Sequence, residues 1–428
     1  MRGSVVATTT IMAAKKPDRR RPGSRKPKAE SPHDRRRAPL SHVAGDEELL
    51  GSPEVAERLA HLFRVSEDEA DLPIHGVHGI HPYPARMHPA WVRHVLAELP
   101  EDAVVYDPFC GSGTVLVEAS EAGHPSFGSD INGMAVRIAK HRTRRRREEF
   151  LERFAASAVE LHAGAAHRRE TKFGALAKDE NHFPPHVLAQ LISLRDEIER
   201  VPDPQGREAA LMTFSGLLPK FAARRSRPAP EVNRRAVRDH FLRRAEQATY
   251  AWADHTEAIE SSHPGLGSPR IERADARRAP WETASADAVI SSPPYPGVYD
   301  YALEQRLRSK WLHDDRWVRE ARRNEIGRRG ADGAGDWGFG MLDALGETCR
   351  IAKPGAPVYL VIGDGAVDRR AVRVSRLLQH IQDRVDADEL PLKPIAAVGQ
   401  TRPNFHGPSS AAFRDYPRRE YLVLLERK

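Results

Sequence analysis

VVYDPFCGSGTVLVEA, residues 104–119, changes character twice within one short stretch. Val104, Val105 and Tyr106 read as the end of a buried strand. Asp107-Pro108 stops it, Gly111-Ser112-Gly113 turns it, and Thr114 opens a helix. Two glycines permit a tight turn and close backbone approach, and the free N–H groups of a helix start face a polar group. The loop lacks the third glycine of the full dinucleotide fingerprint, so on glycines alone a turn that binds nothing competes with a cradle.

FGSDINGMAVRIA, residues 127–139, repeats the plan of strand, acid and helix. An acid that closes the second strand of a Rossmann-like unit is placed to hold ribose hydroxyls. This nominates Asp130, with a helix cap as its competing role.

Composition sets the outer bounds. A chain of 428 residues has room for about two to three domains. No run of apolar residues is long enough for a membrane helix, and no apolar leader segment marks a secretory signal. Cys110 and Cys349 are the only cysteines, so a disulfide framework is not expected, and a reducing, cytoplasmic setting is. No zinc-ligand spacing occurs, and no metal is expected. The net charge of +7 is unevenly spread. Residues 1–40 hold twelve Lys and Arg against three acids, which leaves the rest of the chain net negative by two. Nucleic-acid binding by the folded body must therefore rest on local patches.

Residues 1–45, rich in Pro, Ser, Lys and Arg, read as a disordered basic arm, either a phosphate-binding segment or a solvated leader. Residues 46–70 read as an acidic helical lead-in. In HGIHPYPARMHPAWVRHVLAEL, residues 78–99, a helix begins near Pro89, with Trp91, Val92, Val95 and Leu96 on one face. The run that includes Arg144, Arg145 and Arg146 is a solvated helix face or a contact for nucleic-acid phosphates. Residues 151–264 carry apolar spacing of helices and no strand pattern, which makes them a largely helical insertion. Its basic positions, among them Arg224, Arg225 and Arg227, nominate it for target recognition, against the reading of a simple helical cap. An α/β pattern resumes over 265–428, with Ser292-Pro293-Pro294-Tyr295 directly after an apolar strand, a helix over 337–352 and strands near 357–364 and at the C-terminus.

Asp107-Pro108-Phe109-Cys110-Gly111-Ser112-Gly113-Thr114 and Ser292-Pro293-Pro294-Tyr295 resemble the paired motifs of S-adenosylmethionine-dependent DNA amino-methyltransferases. The resemblance spans roughly residues 75–150 and 265–428. It implies a Rossmann-like methyltransferase sheet ending in an antiparallel hairpin, with core parts at 46–150 and 265–428 around the insertion. It implies S-adenosylmethionine as cofactor, with Asp107, Pro108, Phe109, Gly111, Ser112, Gly113 and Thr114 around its methionine half and Asp130 on its ribose. Asp275 would meet its adenine amino group, and His81, Tyr83 and Arg86 would form a further wall. The catalytic loop would be Ser292, Pro293, Pro294 and Tyr295, with Asp300 and Tyr301 near or over the target base.

The chemistry suits such a loop. The lone pair of an exocyclic base amine is delocalised into the ring, so the amine is a poor nucleophile. Ser292 Oγ and the Pro293 carbonyl, accepting its N–H bonds, would favour a pyramidal amine, while Tyr295 would stack on the base. The prolines keep the acceptors oriented. The motif order, with the insertion between the two motifs, implies a DNA substrate whose base is flipped from the duplex. Ser before Pro-Pro-Tyr points to cytosine N4 within this family, with adenine N6 as the alternative. Carbon-5 methylation would need a cysteine nucleophile, which neither Cys110 nor Cys349 supplies. A tRNA guanosine-N2 methyltransferase and an inactive nucleic-acid-binding regulator are the other readings. A paired restriction endonuclease and the oligomeric state stay open.

Overall fold

The computed structural model describes residues 46–84, 86–167, 183–223, 228–233, 235–328, 334–367, 370–403 and 408–428, and all of them fall within one unit. Its strands are β1 (Glu47–Gly51), β2 (Val105–Asp107), β3 (Ser126–Asp130), β4 (Arg270–Arg273), β5 (Ala288–Ser291), β6 (Pro357–Gly363), β7 (Gly365–Val367), β8 (Arg370–Val372), β9 (Leu392–Arg402) and β10 (Arg418–Arg427). The helices up to the Ser-Pro-Pro-Tyr loop are α1 (Pro53–Leu62), α2 (Gly76–Gly79), α3 (Pro89–Leu96), α4 (Thr114–Glu121), α5 (Gly133–Thr143), α6 (Glu148–His167), α7 (Pro185–Ile198), α8 (Pro204–Ser215), α9 (Leu218–Phe221) and α10 (Ala236–Ser262). After that loop come α11 (Tyr301–Trp311), α12 (Arg316–Asn324), α13 (Ala334–Ile351) and α14 (Val374–Asp386).

Eight strands form one sheet in the order β1-β9-β10-β6-β5-β2-β3-β4. Strands β4, β3, β2, β5 and β6 run parallel, and β10 is antiparallel to both β6 and β9. The expected closing hairpin is thus β9–β10. The chain moves outward from β2 through β3 to β4, then returns to β5 on the other side of β2. That reversal makes a crevice beyond the carboxyl ends of β2 and β5, where α/β sheets bind ligands.

Both faces of the sheet are covered, which is why its strands read as continuous apolar runs. Tyr106, Val358, Leu360 and Ile362 pack toward α13 and α14, while Val105, Tyr359 and Val361 pack toward α1, α3 and α4. The 46–70 stretch corrects the sequence reading. Glu47–Gly51 is an edge strand paired with Ala396–Gln400, and only Pro53–Leu62 is a full helix there. Gly51 ends the strand at φ 87°, and Pro53 starts the helix.

Among the described residues, 151–264 are helical with no strand. These helices share their core with the rest of the unit. Phe154, Leu191, Phe214 and Trp252 pack in the same cluster as Met134 and Ile138 of α5 and Trp311 of α11. No described helix is long and apolar enough to cross a membrane.

Candidate active site

Asp107 ends β2, and its Oδ1 accepts from Phe109 N at 3.1 Å and from Ser291 Oγ at 2.6 Å. The adjoining strand β5 thereby braces the carboxylate. Asp130 ends β3; its Oδ2 accepts from Gly111 N at 2.9 Å and its Oδ1 from Asn132 N at 2.8 Å. The glycine turn is therefore laced to the neighbouring strand end. Gly113 has φ 84°, and a Cβ there would lie 2.9 Å from Ala139 Cβ, so only glycine lets α4 pack on α5 this closely. Asn132, not Asp130, caps α5, accepting from Met134 N and Ala135 N.

A second support lies behind the loop. The buried Arg142 guanidinium donates to Ser112 O and Oγ at 3.0 and 2.7 Å, and also to the carbonyls of His78 and His81. Arg86 donates to His78 O, Arg244 of α10 to Gly79 O and Ile80 O, and Arg308 of α11 to Pro82 O. Four arginines from four places thus anchor the carbonyls of residues 78–82.

A cleft lies above these strand ends. Asp107, Pro108, Phe109, Gly111, Ser112, Thr114, Asp130, Asp275, Tyr83 and Ser292 line it; among the described residues Arg86 is the one cationic side chain of the lining. Ile131, Ala276 and Ile326 supply apolar wall. Burial lifts the carboxyl of Asp107 to about 7, that of Asp130 to about 6 and that of Glu325 to about 7. Hydrogen bonds oppose the rise in each. Glu325 accepts from Tyr301 N, the first residue of α11, at 2.6 Å. Asp275 is held in a fork by Arg277, at 2.9 Å from Nε and 2.6 Å from Nη2, and Arg277 also reaches Asn324 O.

The Ser-Pro-Pro-Tyr loop leaves β5 at the same edge. Ser292 and Pro294 face the cleft, while Pro293 is buried and its carbonyl accepts no bond among the described residues. Trp337 Nε1 donates to Pro294 O at 2.9 Å, which fixes the loop. Tyr295 does not line the cleft. Its hydroxyl donates to Glu420 Oε1 at 2.6 Å, Glu420 in turn binds Arg402, and its ring lies on Gly363. A Cβ on Gly363 would stand 2.6 Å from that ring. Gly363→Ala is therefore expected to displace Tyr295 and lower turnover about tenfold, with cofactor affinity retained; kinetics and calorimetry on one preparation check this.

Other sequence-nominated residues stand elsewhere. His81 is buried against Ser215 Oγ at 2.7 Å and supports the fold without reaching the cleft. Asp300 caps α11, and Tyr301 lines the cleft. Helix α5 is about 16 Å long, and near its far end Arg142 still reaches Ser112 of the glycine turn. Arg144, Arg145 and Arg146 follow it there, and Arg145 donates to Leu266 O, ahead of the amino end of β4. Arg146 is buried, with its guanidinium 4.2 Å from the Phe150 ring centroid, so it is a packing residue and not a phosphate contact. Arg142 and Arg137 of the same run are likewise internal, Arg137 pairing with Glu208 and Asp314. Arg224, Arg225, Arg227 and residues 1–45 lie outside the described residues. The sequence reading missed Ser291, Glu325 and Arg142. Ser291 stood beside a quoted motif, Arg142 stood in the basic run and was read there only as charge, and Glu325 had no local signal. Among the described residues no group of three or more His, Cys, Asp or Glu is placed to hold a metal ion.

Residues 65–141 match the DNA methylase family. Over 65 residues the chain is 42% identical to the type II methyltransferase M.MjaII of Methanocaldococcus jannaschii, covering 15% of this chain and 12% of that protein. Over 71 residues it is 41% identical to the type II methyltransferase M.MvaI of Kocuria varians, covering 15% of each. The matched stretch is thus under a sixth of either relative. Among solved structures, the rRNA methyltransferase aviRa of Streptomyces viridochromogenes aligns over 86% of this chain and 96% of its own, at 13% identity and a TM-score of 0.35. TrmN of Thermus thermophilus aligns over 81% of this chain and 50% of its own, at 13% identity and a TM-score of 0.31. The cofactor of this family is S-adenosylmethionine, and the cleft fits it: buried carboxylates suit its sulfonium and ammonium, Arg86 its carboxylate, and the apolar wall its adenine. The segment 65–141, which holds the glycine turn and the ends of β2 and β3, is thus similar to DNA methylases.

Proposed function

We propose that this protein methylates the exocyclic N4 amine of cytosine in DNA, using S-adenosylmethionine. One observation carries the reading: Ser292 lies at the cleft that holds Asp107, with Ser291 bonded to that carboxylate, so amine acceptor and cofactor cradle share one edge. The cofactor supplies an electrophilic methyl group on a sulfonium. In this reading Asp107 meets the cofactor's ammonium, Arg86 its carboxylate, Asp130 its ribose and Asp275 its adenine amine. Ser292 Oγ and Pro293 O accept the N–H bonds of the target amine, which frees its lone pair for in-line attack. The loop, stiffened by two prolines and held by Trp337, keeps these acceptors oriented before the base arrives. A base in a duplex must leave the stack to reach them.

Nucleoside mass spectrometry after incubation of DNA and tRNA with labelled cofactor tests the proposal. N4-methylcytosine in DNA is expected. N6-methyladenine would keep the mechanism and overturn the base assignment, and methylguanosine in tRNA would overturn the substrate. Cofactor binding with no label in any substrate would favour a regulator without activity.

A further inference from the structure

We infer that α12 is the surface that holds the DNA backbone beside the flipped nucleotide. This inference rests on the DNA reading above. A flipped base stays tethered by its own phosphates, so the backbone must pass over whatever forms the rim of the catalytic cleft. Helix α12, RWVREARRN, is part of that rim. Its Trp317, Val318 and Ala321 are buried, Ala321 and Asn324 line the cleft, and Trp317 packs so closely on Gly133 that a Cβ there would lie 2.7 Å from the ring.

The opposite face of the same helix is basic. Arg316, Arg319 and Arg323 recur at three- and four-residue spacing, are exposed, and make no ion pair among the described residues. Arg322 is exposed too, with Asp300 at 4.0 Å, and the single acid of the helix, Glu320, is engaged by Arg273 at 2.9 Å. Outside the first forty residues the chain is net negative, so such a face is a local exception positioned at the cleft. In the Arg144–Arg147 run, by contrast, Arg146 is buried against Phe150 and Arg145 donates to Leu266 O.

The test measures binding of a labelled mixed-sequence DNA duplex by fluorescence anisotropy as salt rises from about 50 to 200 mM, because phosphate contacts need no cognate sequence. The triple variant Arg316→Gln, Arg319→Gln, Arg323→Gln is expected to flatten the slope of log affinity against log salt by about 0.9 per arginine. Affinity at the lowest salt should fall about tenfold or more, with an unchanged melting temperature and unchanged S-adenosylmethionine affinity. The control pair Arg144→Gln, Arg147→Gln should keep the wild-type slope. Wild-type binding with an unaltered slope in the triple variant, or an equal loss in the control pair, overturns the α12 assignment while the proposed function stands. A wild-type protein that binds cofactor but no duplex overturns the DNA reading and the assignment with it. Preferential binding of an RNA hairpin, lost in the triple variant, would show the surface to serve RNA and overturn DNA as the partner.

Discussion

Ser292→Ala is expected to lower kcat about 100-fold while the dissociation constant of S-adenosylmethionine stays within about twofold, since a fixed polar group acting only on the reacting centre has effects of this order. Ser292 faces the cleft from a loop held by Trp337, so losing one hydroxyl leaves the cradle of Asp107, Gly111 and Asp130 intact. The neighbouring Ser291 hydroxyl does not stand in for the lost acceptor, because it is already committed to Asp107. Single-turnover kinetics with saturating cofactor separates this step from product release. A rate equal to wild type would remove Ser292 from the mechanism.

Asp107→Asn should have the second large effect, on the cofactor. Losing a charge-assisted bond to an ammonium costs about 1.5–3 kcal/mol, so the dissociation constant should rise roughly 10- to 150-fold near pH 8. In the wild type the Asp107 carboxyl sits at about 7 because of burial, and a bound cation favours its ionised form. Cofactor affinity should therefore climb as pH rises through about 7 and then level off, and the variant should lose much of that climb. The empty protein shows the opposite trend. With the folded-state pKa raised above 3.8, the stability contributed by this group is full below about pH 4 and is lost as pH rises through about 7. The cofactor-free variant should then melt about 2 °C or more above wild type at pH 8, with the gap closing toward pH 5. Calorimetric titration and melting curves across that range check both trends; a flat affinity profile in the wild type would contradict this account.

What could be read from the chain was what its chemistry keeps contiguous. The cofactor turn needs strand end, glycines and helix start in unbroken order, and Ser292–Tyr295 needs its prolines beside its serine, so both stood out. Glu47–Gly51 escaped because a short acidic strand has no pattern of its own; its register comes from Ala396–Gln400, far along the sequence. Glu325 and Arg142 escaped for a related reason, since each serves the cleft from a helix end chosen by tertiary packing. The basic run at Arg144–Arg147 was visible as charge, but charge counting does not say which end of a helix a residue occupies. Arg146 lies under Phe150 and Trp252 for reasons that only the packed core expresses.

The arginine clamp on residues 78–82 has a consequence for cooperativity. Tyr83 and Arg86 stand just beyond carbonyls held at once by α5, α10 and α11, so these helices cannot open one at a time without unseating that wall of the cleft. The helices of 151–264 and the sheet are therefore expected to unfold as one cooperative unit, and a ligand that binds only the native cleft should protect both. In amide exchange, S-adenosylmethionine would slow the backbone of α10, a helix that does not touch its pocket, together with the glycine turn that does.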